Sequence, residues 1–68
     1  MLKDQNHDLV QQLSEISDSL WRMEAYKKNA DECDSCKEMW EKMKGNYENH
    51  VEMLKDEIAK HVREKRFD

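Results

Sequence analysis

The chain has 68 residues, of which 41% are charged, with a formal net charge of -4 and no proline. At this length a single globular core is marginal, and an acidic balance with pI near 5.3 disfavours nucleic acid or an anionic membrane as the main partner. One glycine, Gly45, supplies too few turn residues for a small β domain. Glu and Lys lead instead, nine of each, and with Met and Leu at five each they favour helix.

The first residues, Met1-Leu2-Lys3-Asp4-Gln5, lack the apolar stretch of a signal peptide. No apolar run approaches the ~20 residues of a membrane span. The expectation is a cytoplasmic chain, a single coiled-coil segment over 1–68 belonging to a longer protein, with no membrane insertion.

Through the first half, apolar residues fall at Leu2, Leu9, Leu13, Ile16, Leu20 and Met23. From Leu9 the gaps alternate four and three, which is the a/d seam of a heptad repeat. Asn6 takes an a position if Leu9 is d. A buried Asn there can pair with its twin and fix the register of a parallel dimer. With Leu20 at a, Trp21 falls at b and Tyr26 at g. These two, with Met39 further on, form a candidate second stripe for docking a partner, because Met adapts its shape and Trp anchors interfaces. Incidental surface apolar residues are the plainer alternative.

The second half carries Cys33, Cys36, Trp40, Met43, Tyr47, Val51, Leu54, Ile58 and His61 at seam spacing. Two consecutive gaps of four around Tyr47 read as a stutter. The two halves do not share one register, and the phase slips between Tyr26 and Cys36. The spacing predicts an all-α chain: one long helix in a parallel two-stranded coiled coil, irregular near 26–36. The alternative is an antiparallel helical hairpin with the C-x-x-C at its apex. Asn29-x-x-Glu32 and Ser35-x-x-Glu38 resemble capping boxes that could start a second helix. No Gly or Pro stands there to make a turn, which favours the continuous helix. The expected dimer seam is Leu9, Leu13, Ile16, Leu20, Met23, Trp40, Met43, Tyr47, Val51, Leu54 and Ile58. A homodimer is the default, and a tetramer is an alternative.

Cys33 and Cys36 are the only cysteines. Residues at i and i+3 share a helix face, so a partner chain could complete a four-thiolate zinc site. Packing in the seam and interchain disulfides are the competing readings. His50 and His61 do not match zinc-finger spacing. Cys33-Asp34-Ser35-Cys36 between helical flanks also resembles the zinc hook of a family of coiled-coil ATPases. There the C-x-x-C caps an antiparallel coiled coil and two hooks share one zinc. This chain lacks the proline found inside that family's motif, and the resemblance covers four residues.

The basic end, Lys60-His61-Val62-Arg63-Glu64-Lys65-Arg66, suits a helix C-terminus. No phosphate loop or nucleophile constellation stands out, so catalysis is not expected. The functional expectation is a structural oligomerisation segment of a scaffold, adaptor or tether, with zinc as a possible clamp. A regulatory protein-binding module is the alternative.

Overall fold

The computed structural model describes residues 2–68. Two helices account for most of them: α1, Asp4–Asn29, and α2, Asp34–Arg63. They lie against each other as a helical hairpin measuring 50 × 18 × 12 Å. The start of α1 meets the end of α2, where Asn6 bonds His61. The end of α1 meets the start of α2, where Lys27 pairs with Glu41 and Glu24 with Lys44.

The single continuous helix, a rod of about 100 Å, is therefore corrected to two helices joined by a short turn. Its physical reason lies in the backbone of the connection. The Cys33 N–H donates to the Ala30 carbonyl at 3.0 Å, closing a turn over Ala30–Cys33. Ala30 sits at φ -92° and ψ 28°, and among the described residues only Lys65 has a positive φ. The turn needs no left-handed residue, so it needs no glycine. Neither capping box starts α2. Cys33 is its N-cap, and the Cys33 sulfur accepts the Cys36 N–H at 3.2 Å.

The two registers each run the length of one helix, and the phase slip is the turn between them. On α1, Asn6, Leu9, Leu13, Ile16, Leu20 and Met23 are buried or half-buried, and the stripe continues through Lys27 to Ala30. On α2, Cys33, Cys36, Trp40, Met43, Tyr47, Val51, Leu54, Ile58 and His61 are buried or half-buried. The stripe that needs a partner thus meets one in its own chain. Cover is incomplete, because among the described residues Ile16 and Met23 are the only buried apolar side chains, each contributing ~1.5–3 kcal/mol. Gly45, inside α2, has open space where a side chain would stand.

A polar clasp closes the open end of the hairpin. Asn6 is fully buried. Its amide nitrogen donates to the carbonyls of Arg66 and Asp68, both at 2.9 Å. That orientation leaves its oxygen to accept from His61 Nδ1 at 2.6 Å. His61, 5% exposed, also reaches the Glu57 carboxylate through Nε2 at 2.9 Å. The Asn6 expected to pair with a twin in a second chain is instead saturated within its own. The tail is bent into position by a Schellman turn. The Lys65 N–H bonds the Val62 carbonyl, the Arg66 N–H bonds the His61 carbonyl, and Lys65 takes φ 57°.

Ion pairs fix the register near the turn. Lys44 hydrogen-bonds Glu24 at 3.0 Å and holds its carboxyl below the ordinary 4.5. Lys27 does the same to Glu41, and Glu24 holds the Lys44 ammonium above 10.5. These side chains are largely solvated, so they select register more than they stabilise.

Two outcomes follow from this architecture. Asn6→Ala strips partners from two tail carbonyls and from His61, and should lower stability by about 1–3 kcal/mol, read as a fall in the thermal midpoint by circular dichroism. The Glu24 and Glu41 contributions are present above the unfolded carboxylate value and disappear as pH falls through their lowered values. Acid titration of Glu24→Gln should therefore show a smaller stability loss below pH 4.5 than the parent chain. Equal losses would mean that the Lys44 pair contributes nothing.

Candidate functional site

The apex of the hairpin gathers the chain's soft ligands and two of its aromatic rings. Asn29 ends α1, and the following turn delivers Cys33 as the first residue before α2. Cys36 follows one turn later on the same helix face. Both thiols are free and half-buried. Beneath them the Tyr26 and Trp40 rings pack with centroids 5.0 Å apart and planes tilted by 44°. Tyr26, Asn29, Ala30, Cys33, Cys36 and Trp40 line a shallow hollow of about 400 Å³. The two cysteines therefore stand on an aromatic floor at the end of a rigid arm.

The two thiols differ chemically because of how they face one another. The Cys36 side chain beside the Cys33 sulfur is the largest influence lowering the Cys33 pKa from 9.0. The Ser35 hydroxyl, 3.5 Å away, and the Cys36 backbone N–H lower it further. Cys33 in turn raises Cys36, helped by desolvation. A cysteine capping a helix N-terminus with a second thiol one turn on is the arrangement that favours thiolate at the first position.

Sulfur donors of this kind suit zinc among the common metals. One chain supplies two of the four thiolates of a closed site, and among the described residues no group of three or more His, Cys, Asp or Glu side chains converges on one point. The donor chemistry fits zinc, with the remaining ligands to come from outside the chain.

The candidate docking stripe is divided by the fold. Trp21 and Tyr26 are five residues apart, about 140° around a helix, so they do not share a face. Trp21 is 80% exposed, on the flank that also carries Val10. Tyr26 is tied to Trp40, and Met39 and Met53, both exposed, lie some four turns apart along α2. The eleven apolar residues expected to form an interchain seam face the partner helix of the same chain.

Two features escaped the sequence reading. Asn6, His61 and Glu57 form one network although 51 or more residues separate Asn6 from the other two; their seam spacing was visible, but their partnership was not. The second is a groove of about 370 Å³ between the helices, lined by Leu9, Gln12, Ile16, His50, Met53, Leu54 and Glu57.

Comparisons with known protein families, with curated proteins and with solved structures give no match. Among the described residues, no helix is long and apolar enough to cross a membrane.

Iodoacetamide at neutral pH should modify Cys33 several-fold faster than Cys36, as read by peptide mass spectrometry. Cys36→Ala removes the neighbouring thiol, and should slow Cys33 towards an ordinary cysteine. Faster labelling of Cys36 would contradict the arrangement.

Proposed function

We propose that this chain is an oligomerisation hairpin that joins two molecules through its apex. The observation that carries the reading is the position of Cys33 and Cys36. Two adjacent, accessible, chemically distinct thiols stand at the tip of a 50 Å arm, where a second copy can reach them without disturbing either helix. Two apices together supply four thiolates, the ligand set of a structural zinc ion. Zinc bound in this way ties association to metal and to thiol redox state. The hairpin shape and the C-x-x-C beside its apex resemble the form of the zinc hook without that family's proline, and here the turn is made by Ala30–Cys33.

In this reading the chain belongs to a scaffold, tether or adaptor in a reducing compartment, and it has no catalytic role. The homodimer is one of hairpins, not of single parallel helices, because the apolar stripes are already engaged within the chain. A second reading, a regulatory module that docks a foreign protein, is favoured by Trp21 alone, whose ring is 80% exposed.

Native mass spectrometry of the reduced chain after zinc reconstitution tests the proposal. The expected species is two chains with one zinc, converted to zinc-free chains by chelator and absent in Cys33→Ser. A chain that takes up no zinc, or takes it up equally in Cys33→Ser, overturns the apex as a metal clamp.

A further inference from the structure

The cap of α2 does more than start a helix: it aims one cysteine at the other. Helix geometry sets Cα atoms three residues apart at about 5 Å, within the range of about 4.4–6.8 Å that a disulfide spans. Spacing alone is not enough. Inside a helix every Cα–Cβ bond leans toward the N-terminus, so the earlier of two such side chains leans away from the later one. Cys33 escapes this because it stands just outside the helix as its N-cap, with extended backbone at φ -131° and ψ 95°. Its side chain turns forward over the first turn, and its sulfur lies 3.2 Å from the Cys36 backbone nitrogen. Cys36 lies inside α2 and leans back toward the same space.

Both thiols are free and half-buried. They border the hollow that they share with Tyr26 and Trp40, which opens to solvent and admits a small reactant. The chain has no other cysteine. A partner tethered through two intervening residues acts at an effective concentration of roughly millimolar or more, well above that of a second hairpin in dilute solution.

We infer that the apex is a reversible dithiol–disulfide pair that closes within one chain when it meets a small-molecule disulfide. The thiolate of one cysteine attacks a sulfur of the small disulfide, forming a mixed disulfide and expelling one small thiolate. The thiolate of the other cysteine attacks the protein sulfur of that mixed bond, forming the Cys33–Cys36 bond and expelling the second small thiolate. The two cysteine protons go to the expelled thiolates. The pair is oxidised by two electrons, and the small disulfide is reduced by two to a pair of thiols.

The consequence for association rests on the zinc-clamp reading given above. Zinc binds thiolates, and the closed disulfide offers none. Oxidation therefore separates the hairpins, the reverse of the covalent lock that an interchain disulfide would make.

The test treats the full, reduced, metal-free chain with glutathione disulfide over a range of protein concentrations and follows intact mass without reductant. The expected product is a single chain lighter by two hydrogens. It should form at a rate independent of protein concentration and revert in excess reduced glutathione. Cys36→Ser, which keeps the Cys33 cap, should stop at a glutathione adduct on Cys33. Circular dichroism should show the same helix content before and after closure. Disulfide-linked dimers as the main product at micromolar protein, lasting adducts on both cysteines, or closure only with loss of helix would each overturn the inference. A separate arm loads the reduced chain with zinc before oxidation. Two chains per zinc that become single zinc-free chains support the switch, and zinc retained by the closed chain overturns it. A reduced chain that takes up no zinc but still closes within itself overturns the clamp and supports the dithiol pair.

Discussion

Neither helix can keep its apolar stripe from water alone, and everything else in the molecule answers that constraint. Isolated amphipathic helices gain most of their stability from what they pack against. Here the chain provides the packing itself by interrupting the helix after Asn29. Once the turn is made, Leu9 to Met23 on one arm faces Tyr47 to His61 on the other. The two arms are held in register at both ends by chemistry that cannot slide. At the open end the carbonyls of Arg66 and Asp68 saturate the Asn6 amide, and His61 supplies the third bond. Near the apex, Glu24 and Lys44 fix which turn meets which. A one-turn slip would leave a buried amide unpaired, which costs more than the apolar contacts it would trade.

The ends of the hairpin therefore carry different duties. The open end is inward-looking: its polar groups are spent on one another, and the Schellman turn at Lys65 returns the tail over Asn6. The apex is outward-looking: two thiols, one biased towards thiolate by the other, sit above a Tyr26–Trp40 floor. The long sides differ as well: Glu24 pairs with Lys44 on one, and an unfilled groove edged by His50 and Glu57 lies along the other. Such a division suits the proposed role, in which the hairpin joins a second molecule through its apex.

Much of this was legible in the residues. The heptad spacing located both stripes, and the mismatch of their registers located the break to within a few residues. The nature of the break was misjudged because a turn was expected to need Gly or Pro. Ala30 and its neighbours close it with ordinary negative φ values, and composition gives no sign of that. Asn6 was recognisable as a buried polar seam residue. Its partners were not, because pairing with His61 and the tail depends on the chain folding back, a fact of topology and not of spacing. Trp21 at b and Tyr26 at g already stood about 140° apart around the helix, but that Tyr26 packs on Trp40 while Trp21 stays exposed depends on the fold.

The measurement that tests the hairpin most directly is the distance between the two ends in solution. Nitroxide labels at Gln5→Cys and Arg63→Cys, with Cys33→Ser and Cys36→Ser and an excess of unlabelled chain, report the separation within one molecule by pulsed electron spin resonance. Helices packed at 8–10 Å place the labels within about 30 Å, and that short, narrow distribution is the predicted result. A distance near ~87 Å, the length of one unbroken helix between these positions, would contradict the account.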